Sequence, residues 1–223
     1  MTLQITRARP IAVLLHGLAR RPRAMRGLAD ALDAAGYDTH TIGYPTLTAS
    51  LVHAAGPVKA QLCHQFADRP LFAVTHSMGG ILIRHLRDDR LLWKRIVMLA
   101  PPSQGSTIAR TVRDAIGAAA FARFPAAHAL STETPAAWPY PPAPFAVIAG
   151  TRRPPSHHPA GWLGRLFLPA GEPSDGTVLV RETRLPGAAA FATVDAAHTA
   201  IMDHPEAQRL AIAFLRDGAF PAP

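Results

Sequence analysis

The sequence holds a single cysteine, Cys63, in 223 residues, so no internal disulfide framework is available to it. Cys63 lies among Val58, Leu62 and Phe66 at helical spacing and reads as a buried, inert thiol. Lysine is almost as scarce: Lys59 and Lys94 are the only two, and arginine supplies the other basic residues. No apolar run reaches the roughly 18 residues that a membrane-spanning helix requires. Pro10 to Ala19 is broken by His16, and Ala115 to Ala122 is short and bounded by charge. Neither C-x-x-C nor H-E-x-x-H occurs, so no metal site is expected. His157-His158 falls in a proline-rich loop and reads as solvent-exposed. The stretch Met1 to Arg7 lacks the basic head, long apolar core and small-residue cleavage site of a signal peptide. The expectation is a soluble cytoplasmic protein.

What is present is a globular composition, 48% apolar, of a length that suits one domain with a sizeable core. The formal charge is +8. The arginines are scattered apart from Arg20-Arg21-Pro22-Arg23 and Arg152-Arg153. No basic stripe alternates with aromatics and no nucleic-acid motif occurs, which argues against nucleic acid as a partner. The charge reads as a solvated basic surface, with peripheral contact to anionic membranes or substrates left open. Oligomeric state is not legible.

Apolar runs alternate with helical patterns from end to end. Ile11–Leu15 is continuous, as a strand covered on both faces should be. Met25, Leu28, Leu32 and Ala35 recur at helical spacing, and Gly36 ends that helix. Further strands are expected at Tyr37–Tyr44, Leu71–Val74, Arg95–Ala100, Phe145–Gly150 and Ala188–Val194, with helices around 51–67 and over Met78–Arg87. Asp203 and Glu206 have the spacing of a capping box for a closing helix through Leu210, Phe214 and Leu215. The alternation predicts a mostly parallel α/β sheet with helices on both faces. Two segments interrupt it, 103–143 and 151–174. Connections of that length are often lids or binding loops. Their apolar residues include Ile108, Val112, Ile116 and Phe121 in the first, and Trp162, Leu163, Leu166 and Phe167 in the second. Trp162, Leu163 and Phe167 are the expected substrate-pocket residues.

The chemistry centres on Thr75-His76-Ser77-Met78-Gly79-Gly80, directly after the strand Leu71–Val74 and before a helix. An isolated serine beside glycines would be a turn residue or a helix N-cap. At a strand-to-helix corner it is a nucleophile elbow, which holds the hydroxyl out above the sheet edge. Thr75 stands where the elbow pattern G-x-S-x-G has its first glycine. Serine chemistry also needs a base, a group to orient the base, and donors for an oxyanion. His198, after the last strand, is the base candidate among eleven histidines. Asp175, in Ser174-Asp175-Gly176-Thr177, follows the preceding strand and is the acid candidate, with Glu172 and Asp195 as runners-up. Leu15-His16-Gly17-Leu18 follows the first strand and offers the N–H of Leu18, which with that of Met78 would form an oxyanion hole. No cofactor enters such a mechanism.

Leu15-His16-Gly17-Leu18, His76-Ser77-Met78-Gly79-Gly80, Ala100-Pro101-Pro102-Ser103-Gln104-Gly105-Ser106, Ser174-Asp175-Gly176-Thr177-Val178 and His198 together resemble small bacterial α/β-hydrolases of the lipase type. They are similar to compact triacylglycerol-lipase-like proteins and to the lipase-like family that includes GPI inositol-deacylases. The resemblance implies one α/β-hydrolase domain over 1–223 with no large separate cap, and 103–143 and 151–174 as lid-like insertions. It implies Ser77 as nucleophile, Asp175 as acid, His198 as base, and Leu18 and Met78 as oxyanion donors acting on a small-molecule or lipid ester. A thioesterase, amidase or acyltransferase would use the same set, and a non-catalytic descendant would use the pocket to bind an apolar ligand.

Overall fold

Parallel strands require crossovers that carry the chain back to the same end of the sheet, and here helices provide them. The computed structural model describes residues 9–132, 137–154 and 166–222. The strands are β1 (Ile11–Leu15), β2 (Asp38–Ile42), β3 (Pro70–His76), β4 (Leu92–Leu99), β5 (Phe145–Gly150) and β6 (Ala190–Val194). They form one sheet in the order β2-β1-β3-β4-β5-β6, with every neighbouring pair parallel. A 3-10 turn (Pro22–Met25) and α1 (Arg26–Ala34) lead to β2, and α2 (Leu51–Phe66) leads to β3. After β3 comes α3 (Gly79–Leu82), which tightens into a 3-10 turn over Ile83–His85. The turn ends where Trp93 Nε1 captures the carbonyl of Leu86 at 3.1 Å. Between β4 and β5 lie α4 (Thr107–Ile116), α5 (Ala118–Phe121) and α6 (Pro125–Thr132). Then α7 (Val180–Thr183) precedes β6, and α8 (Pro205–Asp217) closes the chain.

Side chains alternate across a strand, so each central strand feeds two cores. Ile11, Val13 and Leu15 pack with Leu71, Ala73, Ile96 and Met98 against α2 and α3. Ala12 and Leu14 face the other way and pack with Val74, Val97 and Leu99 against α1 and α8. A third cluster joins Met78 and Ile81 of the elbow region to Ala109, Phe121, Ala126 and Leu130 of α4, α5 and α6. The described residues of segment 103–143 are thereby packed down over the elbow. The start of α4 is tied further. Ser106 Oγ caps it by accepting the Ala109 N–H at 3.2 Å, and buried Glu182 accepts the Thr107 N–H and hydroxyl, each at 2.6 Å. A carboxylate at a helix N-terminus is favoured by the aligned peptide dipoles. The other Glu182 oxygen takes the Leu179 N–H at 3.1 Å, so α7 and α4 share one anion. Among the described residues no helix is long and apolar enough to cross a membrane.

The expected capping box does not form. Asp203 lies in a 3-10 turn over Ile201–Asp203, His204 occupies the N-cap position of α8 without a side-chain bond, and Glu206 pairs with Arg209 at 2.7 Å. Pro205 at the first position sets the helix start by its fixed φ, which removes the need for that cap.

Arg84 is the largest fully buried side chain of the described residues. Its guanidinium donates to the carbonyls of Trp138, at 2.9 Å, and Pro139, and it lies 5.5 Å over the Trp138 ring. Burial pushes its pKa down to about 10. It fastens the chain just before β5 to the elbow helix. Arg84→Ala would strand those carbonyls and leave a large void. We expect it to lower the unfolding free energy by at least about 3 kcal/mol, read from denaturant midpoints. Arg84→Lys should restore only part of that, because an ammonium cannot reproduce the planar fork.

Candidate active site

Ser77 has φ of +53°, in the left-handed region that costs a non-glycine residue about 1–2 kcal/mol. The bend is held from both sides: the Ser77 N–H donates to Leu99 O at 2.8 Å, and its carbonyl accepts the Gly80 N–H at 2.8 Å. It also needs space. A Cβ on Gly79 would stand 2.5 Å from the Leu15 carbonyl oxygen, and one on Gly17 would stand 2.9 Å from Ser77 Cβ. The end of β1 and the elbow are thus in backbone contact. Gly80 is required by Pro101, whose Cβ would stand 2.8 Å from a Cβ there, and Thr75 Oγ1 lies alongside at ordinary contact distance, 3.4 Å. The hydroxyl turns to Val97 O, also at 3.4 Å.

His198 follows β6 and reaches back to the elbow. Its Nε2 is 3.0 Å from Ser77 Oγ and its Nδ1 is 2.7 Å from Asp175 Oδ2. A carboxylate accepts only, so the Nδ1 proton is on the ring and Nε2 accepts the serine hydroxyl. Asp175 is buried. Its other oxygen accepts the N–H groups of Thr177, at 2.9 Å, and Val178, at 2.7 Å, in a turn that Gly176 closes with φ of +90°. Gly150, at the end of β5, lets this turn approach, since a Cβ there would meet Asp175 Cβ at 2.8 Å. The His198 backbone is held as well, its N–H donating to Asp175 O at 3.0 Å. The runners-up lie elsewhere: Asp195 pairs with Arg152, and Glu172 with Arg181, both on the surface.

Among the described residues, the backbone N–H groups of Leu18 and Met78 donate to no protein acceptor. A cavity of about 440 Å³ opens above Ser77 and His198. Its apolar lining includes Leu18, Ile108, Val112, Phe121, Leu130 and Val178. The first interrupting segment therefore borders the cavity. The expectation for the second does not hold for its described residues: Phe167 is partly exposed and lies outside the lining, and its neighbour Leu166 points to solvent. Trp162, Leu163 and the pair His157-His158 lie outside the described residues. Ile116 is exposed rather than cavity-facing. Cys63 is buried in the core. Among the described residues, no group of three or more His, Cys, Asp and Glu side chains is arranged to hold a metal ion.

No family model matches the chain, and no curated protein does. Solved structures do. The mature form of the lipase BlEst2 from Bacillus licheniformis gives a TM-score of 0.76 over 94% of this chain and 92% of that one, at 21% identity. The fold is the α/β-hydrolase fold. The metagenomic carboxyl esterase MGS0156 has it too, with a TM-score of 0.62 over 88% of this chain and 66% of that one, at 18% identity. So does the RedJ thioesterase from the prodiginine biosynthetic pathway of Streptomyces coelicolor, with a TM-score of 0.55 over 92% and 89%, at 16% identity. The narrower resemblance to GPI inositol-deacylases draws no support from these three.

Two more histidines flank the α/β-hydrolase elbow, and both are buried. His16 stacks on Tyr44 with centroids 4.4 Å apart, and burial lowers its pKa. His76 donates from Nε2 to the His198 carbonyl at 2.9 Å, while its Nδ1 has no partner among the described residues. Burial, then the neighbouring His198, holds His76 well below the ordinary 6.5, so it is neutral in the fold. Unfolded, it takes up a proton below 6.5 that the folded chain refuses. Its contribution is therefore complete above 6.5 and is lost as pH falls toward the folded-state value, by up to about 1.4 kcal/mol per pH unit. The slope of unfolding free energy between about pH 6.5 and 5 should flatten in His76→Gln. An unchanged slope in denaturant titrations would contradict this account.

Proposed function

We propose that the chain is a serine hydrolase that cleaves carboxylic esters through an acyl-enzyme on Ser77. The reading rests on one observation above the rest. A serine held in the left-handed region is bonded to a histidine, itself bonded to a buried carboxylate, at 3.0 and 2.7 Å. Ser77 Oγ attacks the acyl carbonyl as its proton passes to His198 Nε2. Asp175 keeps the ring in the needed tautomer and stabilises the imidazolium. The oxyanion rests on the free N–H groups of Leu18 and Met78. Collapse breaks the acyl C–O bond, and His198 returns the proton to the departing alcohol. Water then repeats the sequence on the acyl-serine and releases the acid. The apolar cavity takes the acyl chain, and the α4–α6 segment serves as its lid-like wall. Thioesters, amides and acyl transfer share this acyl-enzyme, so parallel rates on p-nitrophenyl esters, acyl-CoA and amides sort the substrate class.

Ser77→Ala should lower turnover on the order of 10⁶-fold, as where a triad acts as a unit. It should also abolish labelling by a fluorophosphonate. Ser77→Gly should be equally inactive yet more stable than Ser77→Ala by about 1 kcal/mol, because glycine accepts the left-handed backbone without strain. Esterase activity in folded Ser77→Ala protein would refute the assignment.

The cavity gives a second prediction. Val112→Trp fills it from the α4 side and should depress hydrolysis of long-chain esters far more than acetate. Each methylene that no longer fits costs about 1–3 kcal/mol of discrimination. An equal fall for all chain lengths would mean that the acyl group lies elsewhere.

A further inference from the structure

The loop after β1 carries charge that ester hydrolysis itself does not use. Arg20, Arg21, Arg23 and Arg26 are exposed and line one concavity of about 510 Å³. Ala19 and Arg20 also line the cavity over Ser77, so the two hollows meet at that point. No acidic residue precedes Asp30 in the chain. Among the described residues none of the four guanidinium groups makes an ion pair or a hydrogen bond. Other exposed arginines are answered, Arg90 by Asp88, Arg152 by Asp195, Arg209 by Glu206 and Arg216 by Asp217, and the unanswered Arg87 and Arg123 stand singly rather than around one hollow.

The placement is also unfavourable to the fold. Arg21, Arg23 and Arg26 surround the start of a 3-10 turn and of α1, and neither first turn holds an acidic residue. Helix N-termini favour anions, so cations gathered there work against the helix. Local conflicts of this kind are expected where a site is being served.

The side of the cavity matters. The loop that carries Arg20 lies against His76, since a Cβ on Gly17 would stand 3.0 Å from His76 Nδ1, and His76 Nε2 holds the His198 carbonyl with its ring centre 4.7 Å from that of His198. Arg20 therefore lines the cavity from the β1 loop beside His76 and His198, while Ile108, Val112, Phe121 and Leu130 line it from the α4–α6 segment. The histidine delivers its proton to the departing oxygen, so the leaving half of the ester occupies its side. We infer that Arg20, with Arg21, Arg23 and Arg26, forms a subsite for a phosphate group on the leaving half of the substrate. This rests on the hydrolase reading above. A phosphate brings up to two charges and several acceptor oxygens, which several guanidinium forks match and one carboxylate would not use. Hydrolysis breaks only the acyl C–O bond and releases a carboxylic acid and an intact phosphorylated alcohol.

The test compares butyrylglycerol with butyrylglycerol 3-phosphate, both monomeric, on the whole chain. The phosphate ester should have a kcat/KM at least about tenfold higher at low salt, and the preference should collapse near 1 M salt. Arg21→Gln/Arg23→Gln/Arg26→Gln should lower the ratio of the two kcat/KM values by about tenfold, while Arg87→Gln, beyond the elbow helix, leaves the ratio in place. Equal losses on both substrates would indicate a structural role and overturn the subsite. Repeating the comparison with a short-chain diacylglycerol and its phosphatidate in aggregates separates the sources. A preference confined to aggregates assigns a lipid headgroup, and one present on monomers assigns a soluble phosphate ester. Sedimentation with phosphatidylglycerol vesicles, without preference in either format, would overturn the subsite in favour of a membrane-docking patch. Hydrolysis of both monomeric esters at equal rates, with no preference in aggregates, overturns this inference and leaves the hydrolase reading intact. No hydrolysis and no fluorophosphonate labelling of Ser77 overturns both.

Discussion

The backbone of the β1 loop touches the backbone of the elbow, and the rest of the site depends on that contact. Gly79 lies against the carbonyls of Leu15 and His16, and Gly17 lies against Ser77 and the His76 ring. With no Cβ in either place, β1 and β3, already neighbours in the sheet, stay close past their last paired residues. Ser77 is then over-determined: ladder on one side, β1 loop on the other, helix above. A residue held so firmly can keep a backbone conformation that would relax on its own. The unfavourable φ and the hydroxyl turned toward the cavity have the same origin.

The histidine is constrained in a complementary way. His198 is attached through both ring nitrogens, but its backbone is attached too, the N–H to the Asp175 carbonyl and the C=O to His76. His198 thus sits between the end of β3 and the loop after β5 rather than swinging on a tether of its own. The wall of the cavity is joined to the same frame. Glu182 connects the start of α4 to α7, four residues after the turn that carries Asp175 and its two N–H donors. Asp175, His198 and the cavity wall therefore share supports.

Much of this was legible in the residues. Parallel strands covered on both faces read as continuous apolar runs, which is why Ile11–Leu15 and Phe145–Gly150 stand out with their boundaries correct. Ser77, Asp175 and His198 stand out by their places after strands β3, β5 and β6, and His198 lies within hydrogen-bond distance of each of the other two. Other features depend on partners distant in the chain. Arg84 looks like the polar face of a short helix, and only residues more than fifty positions later reveal it as buried. The spacing of Asp203 and Glu206 meets the capping pattern, but Pro205 sets the helix start and Arg209 takes the glutamate. Phe167 shows that an apolar residue in a long loop says nothing of the direction it faces. Arg20–Arg26 reads as ordinary solvated charge until the absence of counter-charges around it is seen in space.

The sheet has a direction, and the scarcity of lysine gives that direction a practical meaning. Ser77, Asp175 and His198 all follow carboxyl ends of parallel strands. Exposed Lys94 lies near the amino end of β4, in a hollow shared with Pro10, Gly36 and Pro70 at the opposite edge. Lys59 is partly exposed, midway along α2. Amine-coupling through the Lys94 side chain therefore grips the molecule by its back, and a support bonded there presents the cleft outward, to the solution.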